Sequence, residues 1–455
     1  MSIVDRTIRF STVGTVIVCP EMTLLAGDHE PPVVIGEGEV TVASSTTFTY
    51  TLRGAPADVA HALRTLRRID ADPYDGTLRE RLDLTTDDGL SLSGGWTIPK
   101  VNVPDGGGPW TFTGEIDSLS FHEAGVFDPG TEVAFTLPRH HRARLVLRRF
   151  MDDVGDGNRH KKALLVNGAT LHLTLDDDAD LLVMHAPASD VFRPTFAENW
   201  LGEPLRILFG QLIYPRFALR QSEGWSMGWV RPSPAWSRDS DASALWQGPG
   251  ELVDREGFWE SYRRLLSYVA SFRDGRGFPN WEANRLTELY GEVIQAARGS
   301  RWVWALTYAS AAEGVVDLLG LQAMPRVDMS DDQVADLART IDAFKAYVDA
   351  WPGDQRPVQP AKNAADRMLR TTAAIALRHL RAEGWVTNDE YGAWDELRNK
   401  VMHGRLVSPY SSAEDDKLLL DLSGLLHALT RRLISDVDPD AAPEQASASP
   451  GAGLP

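Results

Sequence analysis

Thr46-Thr47-Phe48-Thr49-Tyr50-Thr51-Leu52 alternates threonine with Phe48, Tyr50 and Leu52, just after a Val40-Thr41-Val42 run. A period of two in β-branched and aromatic residues marks strands with one face in a core. Working outward, further strands are expected at 7–18, 90–98, 110–121, 132–137, 143–149, 162–166, 170–175 and 181–185, with one helix at 57–68. Turn clusters such as Asp105-Gly106-Gly107-Gly108-Pro109 and Asp176-Asp177-Asp178-Ala179-Asp180 separate them. Many short strands at this spacing predict an antiparallel sandwich or barrel-like domain over residues 1–221.

The period changes from Gly257 onward. Segments 258–272, 283–297, 330–351 and 362–385 carry apolar residues at helical spacing, and 301–321 is apolar nearly all round, which predicts a buried central helix. Thr387-Asn388-Asp389-Glu390 forms a capping box for the next helix, Gly404 suits its C′ position, and Ser412 starts a last leucine-rich helix. Residues 253–436 therefore read as an all-α bundle of about seven helices. Between the halves, 222–252 is rich in Gly, Ser, Pro and Trp and reads as a linker whose indoles pack on both neighbours, in preference to a base-stacking surface. The tail 437–455, with Pro439, Pro443 and Pro450, is expected to be disordered. The fold class is thus multidomain α+β: a mainly antiparallel β domain followed by a helical bundle.

A formal charge of −18 excludes a protein that coats nucleic acid non-specifically, since that affinity comes from neutralising phosphates. A single cysteine, Cys19, excludes an internal disulfide framework and cysteine-based zinc modules. Asp5 sits where a secretory leader would be basic, and no apolar run approaches membrane-spanning length, so a cytoplasmic location with no membrane partner is expected.

Chemistry concentrates in Asp395-Glu396-Leu397-Arg398-Asn399-Lys400-Val401-Met402-His403-Gly404. A guanidinium, an amide and an imidazole that titrates near neutral pH are sufficient to cleave a phosphodiester without a metal. On a helix Asn399 and His403 stack one above the other, whereas Arg398 lies about 140° from His403. Trp394, Leu397 and Val401 form the apolar stripe that turns the Asn399–His403 edge outward, and Gly404 removes bulk beside the imidazole. The bland alternative is a histidine placed at a helix C-terminus, where the macrodipole favours a cation.

Trp394-Asp395-Glu396-Leu397-Arg398-Asn399-Lys400-Val401-Met402-His403-Gly404-Arg405-Leu406 resembles the signature of the HEPN superfamily, all-α domains that include metal-independent endoribonucleases of toxin and anti-phage systems. The resemblance covers residues 253–436. The order of a β-rich domain before the helical one, with the stretch from Asn199 to Leu212, is similar to the ApeA-type abortive-infection proteins. It implies His403 as the base for the ribose 2′-hydroxyl, Arg398 stabilising the phosphorane, and Asn399 orienting His403 or a phosphate oxygen. Lys400 and Arg405 become candidate RNA contacts. The substrate would be RNA, tRNA among the candidates, with no metal or cofactor. A homodimer through the helical domain would complete the site, and a phage-derived trigger would act on the β domain. Glu313, on a polar stripe with Thr307, Ser310 and Asp317, would orient Arg398, unless it pairs instead with Arg370 or Arg378. The alternative function is a non-catalytic scaffold for dimerisation and RNA or protein binding.

Two other signals read as structural. Arg139-His140-His141-Arg142, with Arg144, Arg148 and Arg149, is read as the solvated face of a strand in preference to a phosphate contact. Asp152, Asp153, Asp156 and Asn158 lack calcium-loop spacing and read as a hairpin turn.

Overall fold

A computed structural model describes residues 10, 12–26, 31–71, 80–153, 159–238, 240–247, 250–273, 284–402 and 410–440. The strand-rich half begins with β1 (Val16–Leu25), β2 (Pro32–Ser44), β3 (Thr47–Ala55), α1 (Val59–Ala71), β4 (Glu80–Thr85), β5 (Ser91–Thr97), β6 (Lys100–Asn102), β7 (Trp110–Ile116) and β8 (Leu119–Ala124). It continues with β9 (Gly130–Thr136), α2 (Arg142–Phe150), β10 (Asp152–Asp153), β11 (Arg159–Val166), β12 (Ala169–Asp176), β13 (Leu181–Pro187), α3 (Pro194–Trp200), α4 (Glu203–Phe209), β14 (Phe217–Ser222) and β15 (Trp225–Val230). The helical half holds α5 (Arg255–Ser271), α6 (Arg285–Ala296), α7 (Arg301–Leu318), α8 (Asp331–Asp349), α9 (Val358–Arg367), α10 (Ala373–Ala382), α11 (Asn388–Met402) and α12 (Ala413–Ser435).

Every strand pair is antiparallel, and the strands follow one another in the order β10-β11-β12-β13-β9-β14-β15-β8-β5-β4-β1-β2-β3-β7-β6. The alternation in β3 is realised: Phe48, Tyr50 and Leu52 are buried while the threonines between them are half-buried. The ribbon is pinched between β5 and β8, which share the single pair Ser93–Ser120. Two cores form, and they do not divide at the pinch, because Leu119, Phe121, Phe217, Leu219 and Val230 beyond it belong to the first. The first gathers Ile17, Val40, Phe48, Leu82 and Phe112 beneath α1. The second starts from Val133, Leu171 and Met184 and runs without interruption into the helices, through Trp200, Phe258 and Tyr262 to Tyr308 and Leu425. The boundary between cores therefore lies inside the sheet, earlier than the change from strands to helices.

Several expected elements differ, each for a reason of packing. Residues 143–149 are not a strand but part of helix α2, which buries Ala143, Val146, Leu147 and Phe150 at helical spacing and is capped by His141 Nδ1 accepting from the Ala143 N–H at 3.1 Å. The expected strand 110–121 breaks between β7 and β8, where the Asp117 carboxylate takes the N–H groups of Trp96 (2.8 Å) and Ser118 (2.6 Å). The expected helix 362–385 divides into α9 and α10, because Arg370 forms a bridge with Pro325 and the Thr371 hydroxyl donates to the Pro325 carbonyl at 2.8 Å. Helix α7 is buried on one face only (Ala305, Tyr308, Ala312, Val315), with Val303, Ser310, Glu313 and Asp317 exposed.

The segment expected as a linker from residue 222 supplies β15, seated between β14 and β8. After it the chain is an ordered strap. Leu245 and Trp246 donate to the carbonyls of Ile207 and Leu208 (3.0 and 3.1 Å), and Trp246 packs edge-on against Phe258. Gly210, ending α4 at φ 60, admits the strap: a Cβ there would meet Ala244 N at 2.6 Å and Ser240 O at 2.8 Å.

The two wings are tied by Arg216, fully buried and just ahead of β14. Its guanidinium lies over the Phe48 ring (4.7 Å) and donates to the carbonyls of Phe10 (3.1 and 3.2 Å) and Ser45 (2.5 Å), with no carboxylate partner among the described residues. Burial lowers its pKa to about 10, which still leaves it charged at neutral pH, and the carbonyls satisfy its buried donors. Arg216→Met removes those donors and is expected to cost about 2–5 kcal/mol, read as a lower urea midpoint; an unchanged midpoint would refute this tie.

Candidate active site

Helix α11 is built as its sequence directs. The Thr387 N–H donates to Glu390 Oε2 (2.7 Å) and the Glu390 N–H to Thr387 Oγ1 (3.2 Å), closing the capping box. Ala393, Trp394 and Leu397 are buried, and the helix packs on α12, whose inner face carries Leu418, Leu422, Leu425 and Leu426. Ser412 caps α12 by accepting from the Asp415 N–H at 3.2 Å.

This packing leaves Arg398 and Asn399 exposed. The Arg398 guanidinium lies 5.3 Å from the centre of the Trp394 ring, one turn earlier, and meets no carboxylate among the described residues. Stacking on a fixed indole restrains the fork without consuming its N–H donors, which suits it to a phosphate. Lys400 differs. Its ammonium sits 2.8 Å from Glu396 and 3.9 Å from Asp415, and the Glu396 hydrogen bond raises its pKa. His403, Gly404 and Arg405 lie outside the described residues, so the Asn399–His403 relation expected above lies there too.

Glu313 is exposed on α7 and makes no ion pair with Arg398, Arg370 or Arg378 among the described residues. Arg378 is turned to the Ala374 carbonyl at 3.3 Å. Near the start of α7, Arg301 reaches Asp416 in the first turn of α12, tying the two helices together.

The basic stretch 139–149 is solvated in part, with Arg139, His140, Arg148 and Arg149 exposed, but it leads into helix α2 and is not a strand. Arg144 is buried between Asp177 (2.9 Å) and Asp180, Arg139 pairs with Asp180 (3.0 Å), and Arg148 and His160 approach Asp177 at 3.3 and 3.4 Å. The acidic turn 176–180 is its counter-charge. Of the aromatic segment, Trp236 packs edge-on to His141 at 4.5 Å and Trp246 is buried, while Trp225 remains partly exposed. The Asp152–Asn158 turn is described only at β10. Among the described residues no group of three or more His, Cys, Asp or Glu side chains comes together in a way that could hold a metal, and no helix is long and apolar enough to cross a membrane.

Sequence reading missed a set of charges in the apolar region 198–231. Glu198 forms a two-pronged ion pair with Arg220, and Glu203 and Arg206 are buried in α4. The visible signal was charge recurring among Trp200, Leu205, Ile207 and Leu208, where it must be partnered or used. His427 was missed as well. It is buried on α12, with Nε2 3.2 Å from the Ser243 carbonyl and its ring parallel to Tyr290. In comparisons with known proteins, the chain matches no family model, no curated protein and no solved structure.

Burial lowers the His427 pKa from 6.5 to about 4. The folded form holds it neutral while the unfolded chain protonates it, so its contribution is complete above about pH 6.5 and is lost as pH falls towards 4. The loss is on the order of 3 kcal/mol. Urea unfolding from pH 7 to 4 should show this slope in the wild type and a shallower one in His427→Gln; equal slopes refute the assignment.

Proposed function

We propose that the chain is a metal-independent endoribonuclease of the HEPN type, serving cytoplasmic anti-phage defence by abortive infection. It acts as a homodimer through the helical half, under control of the strand-rich half, which would receive a phage-derived trigger. The reading is supported above all by Arg398: an exposed, indole-stacked guanidinium with no carboxylate partner among the described residues, on a chain of net charge −18. A free, oriented cation on an acidic surface fits one bound phosphate group better than non-specific coating of nucleic acid.

In the reaction, the His403 imidazole accepts the proton of a ribose 2′-hydroxyl as that oxygen attacks the adjacent phosphorus. Arg398 donates to the non-bridging oxygens as negative charge builds in the phosphorane, and Asn399 holds the imidazole or a third oxygen. The bond to the 5′-oxygen breaks, that oxygen takes up a proton, and the products are a 2′,3′-cyclic phosphate and a 5′-hydroxyl end. A single Arg–His set supplies one base and no separate acid, so the facing copy provides the second group. Lys400, held by Glu396, would meet RNA only by exchanging partners.

A second reading, a non-catalytic scaffold binding RNA or protein, is favoured by α8 and α9. Only Ile341 in α8 is buried, while Phe344, Tyr347 and Trp351 lie exposed along the hairpin.

Incubating the protein with total tRNA and other RNA in excess chelator separates the two. The nuclease reading expects cyclic-phosphate fragments from the wild type and a roughly 100- to 10,000-fold loss of rate in Arg398→Ala and His403→Ala. Cleavage surviving both substitutions sinks the site; no cleavage by any form, with phage lysate supplied as trigger, favours the scaffold.

A further inference from the structure

Where α4 and the chain just after it face α6 and α7, a cleft of about 740 Å³ opens at the seam between the halves. That is within the usual range for small-ligand sites. On its wall lies Arg206, a cation only 5% exposed. Its Nε donates to the Ile213 carbonyl (2.6 Å) and its guanidinium is stacked 3.9 Å above the centre of the Tyr214 ring. Among the described residues neither terminal nitrogen is hydrogen-bonded and no carboxylate lies within ion-pair distance.

The neighbouring acid, Glu203, attracts it but forms no ion pair with it among the described residues, and so offsets it only in part. Glu203 Oε2 is taken by Thr287 Oγ1 (2.8 Å) and the Asn284 N–H (3.3 Å), and Oε1 is buried without a partner among the described residues. Burial raises the Glu203 pKa and lowers that of Arg206, outweighing the attraction between the two charges. Arg285, also on the wall, is already paired with Glu288 at 3.3 Å. Glu292, Gln295 and Ser310 complete a polar rim, and their side chains hold no partner among the described residues.

We propose that this cleft binds a small organic ligand with one anionic head, which pairs with the terminal nitrogens of Arg206, while its body lies against Tyr214 and gives hydrogen bonds to Glu292 and Gln295. A buried guanidinium with two open donors on a fixed aromatic ring is a preorganised seat for phosphate or carboxylate. The carboxylates at the rim disfavour a polyanion and welcome amino groups. A nucleoside monophosphate has this shape and charge order. The cleft has walls from both halves, and α7 leads from it to α12, so occupancy would bear on how the halves are held. The proposal is independent of the nuclease reading.

Calorimetric titration with AMP, adenosine and inorganic phosphate tests it. AMP should bind saturably and raise the melting temperature with concentration, with adenosine and phosphate weaker by about tenfold or more. Arg206→Gln should lose AMP binding. Because that side chain is buried, Ser310→Trp serves as the second variant: it starts from an exposed position, fills the cleft, and should abolish binding without lowering the melting temperature of the free protein. AMP binding unchanged in Ser310→Trp overturns the site. So does an absence of saturable binding by all three probes. Phosphate binding as tightly as AMP overturns the organic part and leaves an anion seat.

Discussion

The strand-rich and helical halves form one body because α5 lays Phe258, Trp259 and Tyr262 into the core of the second sheet wing. Two hydrogen bonds set the register: Trp259 Nε1 donates to the Phe150 carbonyl at 2.9 Å, and the Tyr262 hydroxyl to the Leu201 carbonyl at 3.0 Å. Buried aromatics with polar tips combine a large apolar area with a directional anchor. Once α5 is docked, the strap carries Ser243 to Tyr308 on α7 (2.9 Å) and to His427 on α12. The position of α12 in turn determines where α11 lies and which of its side chains reach solvent.

The arginines show how an acidic protein manages positive charge in apolar surroundings. Arg144 is matched by two aspartates, Arg216 by backbone carbonyls, and Arg206 by one carbonyl and a tyrosine ring. Only the first is a closed ionic network; the second is a tie between the wings. Among the described residues the third keeps donors available at a seam, and Arg398 keeps all of its own at the surface. A guanidinium left with open donors is costly when buried and cheap when exposed, so burial makes Arg206 the more informative of the two.

Much of the fold was legible in residues that act locally. Alternation in 46–52 gave β3, and the Thr387–Glu390 box and Ser412 marked the starts of α11 and α12 with the hydrogen bonds expected of them. Trp394 and Leu397 were identifiable as part of the buried stripe of α11, which turned Asn399 outward; Arg398 is exposed as well. The errors fell where a pattern was compatible with two environments. Residues 143–149 suit a strand or a short helix; as a helix they bury Ala143, Val146, Leu147 and Phe150 and bring Arg144 to Asp177 and Asp180. In α7, apolar composition was mistaken for burial all round; Tyr308 found the core and Val303 did not.

The sequence by itself determined the antiparallel β half, the helical half and the caps of the motif helix, since period and capping are properties of a few neighbouring residues. Tertiary structure alone decided that the cores divide within the sheet, that 225–230 belongs to it, and that Arg206 lies open-handed on a cleft. These depend on which groups from distant parts of the chain share a buried space, and no local pattern encodes the desolvation or the partner of a charge.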